Sequence, residues 1–204
     1  MKVYDTEGKL LTSAGGGGGG TKIQDADADT NWDVEKTADE DKVHGKVKDV
    51  EAFLLDDAGV LTLAKQSRAS AYLSGNQSCT NGTWNKVALN AEDYDEQEEF
   101  DIATNNRFTA KKAGYYFVAG QVRYNNASVT NAVVYVDVRK NGAEAIPMLF
   151  NYTGTNIEFG AICIHIFPLA VNDYLELYTC QVSGATQALR GAYRYNRLAI
   201  HKLS

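Results

Sequence analysis

The stretch that decides the fold is RFTAKKAGYYFVAGQVRYN, residues 107–125. A short apolar entry, Arg107-Phe108-Thr109-Ala110, leads into a polar turn ending at Gly114, and large apolar residues then recur at every second position. Tyr116, Val118, Val122 and Tyr124 share one face, while Tyr115, Phe117, Ala119, Gln121 and Arg123 share the other. Successive side chains of an extended chain point to opposite sides, so this alternation predicts a strand. Aromatic and β-branched residues suit a pleated surface. Large apolar groups on both faces near Gly114 predict a central strand covered on both sides.

Outward from this strand, similar signals recur from Gln66 onward: RASAYLS, TWNKVALN, AVVYVDVRKNG, AICIHIFPLA, DYLELYTCQV and YNRLAIHKL. No helical period longer than two turns interrupts them. Short strands at regular spacing predict an all-β sandwich or barrel over residues 66–204. Residues 21–65 read as a small acidic β module, with TKIQD, TNWDVEK, DKVHGKVK, VEAFLLD and GVLTLA separated by turn residues. Its few large apolar groups cannot form a self-sufficient core in so short a segment, a first sign of association between copies. Residues 1–14 read as an anchoring hairpin. The uninterrupted glycines at 15–20 read as a flexible joint, since glycine has the most backbone freedom to lose on ordering.

At 204 residues the chain is long enough for one main domain and an appendage. The net charge of −6 is unevenly spread: residues 21–101 carry 19 acidic and 8 basic side chains, and residues 102–204 carry 5 and 10. A surplus so modest, spread over a β domain, predicts no nucleic-acid partner. No apolar run approaches the roughly 20 residues that span a bilayer, which predicts no membrane insertion. The start, MKVYDTEGKLL, has no apolar core of a signal peptide. Cys79, Cys163 and Cys180 have no metal spacing and are expected to be reduced.

The order of these elements resembles a known family. Phe108 precedes the Gly-Tyr-Tyr-Phe strand of Gly114–Phe117, a Lys140-Asn141-Gly142 turn closes a later strand, and Asn172-Asp173 opens the penultimate stretch. Together they resemble the globular head of complement C1q and the wider tumour-necrosis-factor-like jelly-roll superfamily. Asn172 stands where that family carries glycine, and asparagine tolerates the same positive φ. The resemblance covers residues 68–204. It implies a ten-stranded jelly-roll sandwich assembled as a homotrimer, with ligands bound by exposed loops and with no enzymatic activity. Tyr72, Tyr116, Ile162 and Tyr195 are the residues expected at the trimer axis. The acidic module of residues 21–65 more loosely resembles β modules of phage fibre and tail proteins.

Several clusters invite a chemical reading. Asp25, Asp27 and Asp29 imitate the start of a calcium loop, but Thr30 and Lys36 stand where an EF-hand needs glycine and glutamate. They are read as a solvated acidic turn, with calcium the one ion left open. The run AEDYDEQEEFD, residues 91–101, could supply the carboxylate pair of a glycosidase. With nothing nearby to bury them, these carboxylates are expected instead on an exposed loop. Cys163 and His165 fall on one strand face without a third ligand, which points to a core pair rather than zinc. The Asn-x-Ser/Thr sites at Asn76, Asn81, Asn126 and Asn151 matter only in a eukaryotic secretory pathway.

The expected protein is thus a trimeric fibre or spike of a phage or similar extracellular particle. Residues 1–14 bind the particle, the joint and module project the head, and head loops meet a host-surface glycan or protein. A coat decoration protein without a receptor role is the alternative within the same class, and a surface glycan hydrolase the alternative among enzymes.

Overall fold

The computed structural model describes residues 22–34, 41–125, 131–144, 147–154, 159–192 and 194–204. The expected hairpin at 1–14 and glycine joint at 15–20 lie outside them. The chain divides into two compact units, Met1–Lys65 and Gln66–Ser204, with no helix among the described residues.

In the first unit, β1 (Lys22–Gln24), β2 (Asn31–Val34), β3 (Val43–Val47), β4 (Val50–Leu55) and β5 (Leu61–Thr62) form one antiparallel sheet in chain order. The β3–β4 turn is tight because Lys48 and Asp49 both adopt positive φ, at 51° and 59°. Register puts Ile23, Trp32, Gly45 and Phe53 in one row, and Val34, Val43, Leu55 and Leu61 in another row on the same face. The Phe53 ring fills the space above Gly45, where a Cβ would lie 2.1 Å from it, and meets Trp32 edge-on at 5.3 Å. Even so, Trp32 stays 57% exposed, and Ile23, Val34 and Leu61 are exposed as well.

The second unit is a two-sheet sandwich. Its strands are β6 (Arg68–Tyr72), β7 (Gln77–Cys79), β8 (Asn85–Lys86), β9 (Ala91–Asp95), β10 (Phe100–Asp101), β11 (Arg107–Thr109) and β12 (Gly114–Arg123), followed by β13 (Asn131–Lys140), β14 (Met148–Thr153), β15 (Gly160–Leu169), β16 (Tyr174–Val182), β17 (Gln187–Leu189) and β18 (Arg197–Lys202). One sheet runs β15-β12-β18-β6-β9 and the other β10-β11-β16-β13-β14, both antiparallel, with β8 also paired to β16 and β7 to β17. The described residues therefore carry thirteen strand segments, ten of them in the two five-stranded paths and three short ones beside them.

Between the sheets lie Tyr116, Val118 and Val122 of β12 with Tyr124 just after it, Val134, Val136 and Val138 of β13, Leu175 and Leu177 of β16, and Leu198 and Ile200 of β18, all buried. Gly120 lets the layers close: a Cβ there would sit 2.8 Å from Leu177 Cδ1 and 3.0 Å from Cys163 Sγ. The buried phenols are satisfied. Tyr116 donates to the Lys112 carbonyl at 2.7 Å, and Tyr124 Oη lies 2.9 Å from Thr179 Oγ1. All three cysteines are free and buried, and burial pushes the Cys79 thiol up to about 11 and the Cys163 thiol up to about 12.

One expectation needs correction. TWNKVALN is not a full strand: only Asn85 and Lys86 pair, while Val87 and Leu89 plug the core from irregular backbone. Their alternation reports burial, not extension. The outer face of β13 carries aromatic cover of its own. Tyr135 is half-buried 6.0 Å from Trp84, and Arg139 lies over both Trp84 (5.0 Å) and Tyr178 (4.2 Å). An arginine–aromatic layer thus covers part of that face, while Leu149 and Val182 of the same sheet stay exposed.

Candidate assembly face and its bordering groove

The other sheet leaves its outer face open. Register aligns its outward residues in rows across β15, β12, β18 and β6: Ile162–Gln121–Arg197–Tyr72, then Ile164–Ala119–Ala199–Ser70, then Ile166–Phe117–His201–Arg68. Ile162, Ile164 and Ile166 are 53%, 58% and 47% exposed on the edge strand β15, and Phe117 and Tyr115 beside them are exposed too. The middle row then falls to Ala119, Ala199 and Ser70. A depression of about 400 Å³ results, lined by Tyr94, Ala119, Ile164, Arg197 and Ala199 among others. The face therefore carries an isoleucine ridge and a trough of small residues side by side.

Beyond the trough the face turns polar. Arg197 pairs with Asp93 and donates to Ser70 Oγ at 3.0 Å, and Ser70 Oγ donates to Asp93 at 3.1 Å. Tyr94 Oη lies 2.7 Å from His201 Nε2. Burial, and then the nearby Arg68 charge, hold the His201 imidazole below its usual range.

Of the residues expected at a trimer axis, Ile162 and Tyr72 lie in one row of this face, and Tyr195 is half-buried just before β18. Tyr116 does not belong with them. It is fully buried between the sheets, edge-on to Phe108 at 5.7 Å. Both faces of β12 are apolar, so its sequence gives the alternation without the side; Tyr115 and Phe117 are the outward pair.

The acidic run differs from the exposed loop expected. Residues 91–95 and 100–101 are strands, and Asp93, Asp95, Glu99 and Asp101 serve as fixed acceptors, whereas Glu92, Glu96 and Glu98 stay exposed. Glu99 is buried, taking the Ser67 hydroxyl and the Lys111 amide (3.0 Å). Asp95 takes the Phe100 amide at 2.6 Å, and Asp101 takes the amides of Ala103, Thr104 and Asn105. The Thr104 amide and Asn105 side chain hold the Asp101 carboxyl below its usual range. Cys163 and His165 part as well: the thiol is buried, whereas the imidazole is exposed and meets Phe167 edge-on at 4.8 Å.

Asp25, Asp27 and Asp29 do come together, with carboxylate oxygens within 4.8 Å of one another. The turn is shaped by Ala28 at φ 66° and by the Thr30 amide donating to Asp25 at 3.2 Å. The arrangement is equally that of a solvated acidic turn.

At one end of the sandwich, Lys140-Asn141-Gly142 and Asn172-Asp173 interlock. Asp173 accepts from Lys140 Nζ (2.8 Å), Asn141 Nδ2 (2.7 Å) and the Ala170 amide (2.8 Å), and Asn141 Oδ1 takes the Tyr174 amide at 2.9 Å. Asn141 and Asn172 sit at φ 53° and 72°, the latter as the replacement of glycine by asparagine there predicts. The Lys140 ammonium, with the Asn141 amide, lowers the Asp173 carboxyl to about 2.

The opposite end carries a groove of about 660 Å³ whose lining includes Arg123, Phe150, Tyr152, Phe159, Arg194 and Tyr195, with Ile162 on its rim. Arg123 and Arg190 both lie over the Tyr195 ring, at 5.1 and 4.4 Å. These residues come from four separated segments, so sequence reasoning missed the groove. The alternation of arginine and tyrosine in RGAYRYNR, residues 190–197, was the available signal.

No protein-family model and no curated relative matches the chain. Solved structures do. Murine APRIL at pH 5.0 superposes with a TM-score of 0.51 at 13% identity over 68% of this chain and 100% of that one. The same protein at pH 8.0 gives 0.50 at 13%, with the same coverage. The PRD1 vertex protein P5 gives 0.48 at 14% over 68% and 97%, and the globular domain of zebrafish complement 1qA gives 0.46 at 11% over 69% and 98%. The likeness to APRIL shows the fold: Gln66–Ser204 is a jelly roll of the C1q/TNF-like kind. No helix among the described residues is long and apolar enough to cross a membrane.

Proposed function

We propose that this chain is a homotrimeric fibre or spike protein of a phage or similar extracellular particle, whose jelly-roll head binds a host-surface receptor or glycan without catalysis. The observation that carries the reading is the ridge beside a trough on one open sheet face. An edge-strand ridge of Ile162, Ile164 and Ile166 fits the small-residue trough of Ala119 and Ala199 on the next copy. Such a head-to-tail contact closes into a ring when the rotation allows, and contiguous exposed apolar surface on a soluble protein marks an interface. Tyr72, Ile162 and Tyr195 border that contact. The bare apolar face of the β1–β5 sheet is covered in the same way, by its copies in the other subunits. The sequence resemblance of residues 21–65 to fibre modules supports the placement on a particle, with residues 1–14 as the attachment and 15–20 as the joint. Light scattering on the full chain tests the assembly: three times 22.3 kDa is expected, and a folded, monodisperse monomer refutes it. Binding of the trimer to a glycan array or host cells tests the receptor role.

A further inference from the structure

We infer that the assembly face carries an acid-sensitive switch, in which protonation of His201 weakens the contact between copies. The inference rests on the assembly reading above and adds its regulation. His201 stands in the third outward row, between Phe117 of β12 and Arg68 of β6. Ala199, part of the trough, lies two residues before it on the same face of β18. A neighbouring ridge seated on Ala119 and Ala199, and covering the exposed Phe117 ring, therefore also covers the His201 imidazole. In the lone protomer His201 is exposed, and water can solvate its charged form. Beneath a second subunit it is cut off from that water, and burying an unanswered charge is costly.

The groups around His201 offer the charge no answer. Tyr94 of β9 meets the ring edge-on, with Oη 2.7 Å from Nε2. A neutral imidazole satisfies that contact in either tautomer, whereas an imidazolium can only donate. Burial pushes the Tyr94 hydroxyl up, so it stays a phenol through the acid range and brings no negative charge. Arg68 adds a second cation beside the ring. Glu96, just after β9, lies 3.6 Å from Arg68 and is engaged there, and Asp93 of β9 is engaged by Arg197, four residues before His201 on β18. β12 and β15 bring Phe117 and Ile166 to this row, neither of which titrates.

The direction of the linkage follows. Partial burial, and then the Arg68 charge, already hold the imidazole below its usual range in the protomer. Covered by a second subunit it binds a proton less readily still, so dissociated protomers take up protons and acid favours dissociation. Assembly is at full strength where His201 is neutral in both states, above about pH 6.5, and weakens as pH falls below that.

The test is light scattering of the full chain across a dilution series at pH 7.5 and 5.5, with circular dichroism at each point. The trimer dissociation constant is expected to rise about threefold for each imidazole and about thirtyfold in all, which moves the dissociation midpoint up about fivefold. His201→Gln keeps a polar side chain that does not titrate in this range, and its constant is expected to be the same at both pH values. Arg68→Gln removes the neighbouring cation and is expected to reduce the rise. Magnetic-resonance titration of the imidazole in the trimer and in Ile164→Asp protomers reads the cause: the resonance missing from His201→Gln should protonate at lower pH in the trimer. Protonation at the same pH in both, a wild-type constant equal at the two pH values, an equal rise in His201→Gln, or loss of the β signal together with the mass overturns the switch and leaves the assembly reading standing. A folded monomer at pH 7.5 overturns both.

Discussion

Replacing Ile164 by aspartate tests the assembly face most directly. Ile164 is 58% exposed in the protomer, so the change removes little from the head's own core. Full burial of an isoleucine side chain is worth about 1.5–3 kcal/mol, so burying the exposed share contributes about 1–2 kcal/mol per subunit and about 3–5 kcal/mol per trimer. A carboxylate forced into that trough adds its own desolvation cost. The trimer dissociation constant should therefore rise at least about a hundredfold to a thousandfold. Because that constant scales with the square of concentration, the midpoint of dissociation moves up by about ten- to thirtyfold. Light scattering across a dilution series, with circular dichroism to show an intact β fold, reads the effect. Glu98→Lys, on the exposed part of the acidic run, serves as the control and should leave the mass unchanged. If Ile164→Asp remains trimeric at the dilution where wild type begins to dissociate, the ridge is not the contact and the reasoning fails.

Other outcomes follow from the same geometry. Because the His201 imidazole is held below its usual range in the fold, the unfolded chain takes up the proton first. Stability should therefore fall as pH drops below about 6.5, and H201Q should flatten the melting temperature between pH 7.5 and 5.5. Asp173 has the opposite chemistry but the same sign: its carboxyl at about 2 contributes stability that is complete above about 4 and lost on acidification toward 2. Allowing for screening at the surface, that is about 1 kcal/mol, seen as a lower urea midpoint for D173N at pH 7 but not at pH 2. The buried thiols, pushed up to about 11 and 12 at Cys79 and Cys163, should resist alkylation in the native trimer. Intact mass after denaturation should show three modified cysteines with or without prior reduction, and a difference of two would reveal a bridge. In a Trp84→Phe background, Trp32 emission should shift to the blue on assembly; an unshifted spectrum would mean that its sheet face stays wet.

The sequence was most informative where one local rule settles the matter. Alternation located β12, β13, β15, β16 and β18, because a residue with a pleated environment on both sides has little else to be. It failed where burial is decided by distant segments. Tyr116 and Tyr115 are equally aromatic neighbours, and only the register with β15 and β18 says which one meets the other sheet. Glu99 sits among six other carboxylates, all of the composition of a solvated loop, yet Ser67 and the Lys111 amide draw it inside. The Arg123–Tyr195 groove depends on residues more than seventy positions apart and had no local signature strong enough to assemble it.

The interlocked turns at Asp173 have a consequence for how such a head can diversify. One Asp, two Asn at positive φ and one Lys knit the β13–β14 and β15–β16 connections into a single unit, so a residue inserted in either would break bonds in both. β12 ends and β13 begins at the far end, as β14 ends and β15 begins there. Evolution for a new target can lengthen those two links without disturbing the knit end. Heads related to this one should keep constant spacing around Asn141 and Asp173 and vary in length between Arg123 and Asn131 and between Thr153 and Phe159. The same polarity makes the latter pair the natural insertion points for a displayed peptide.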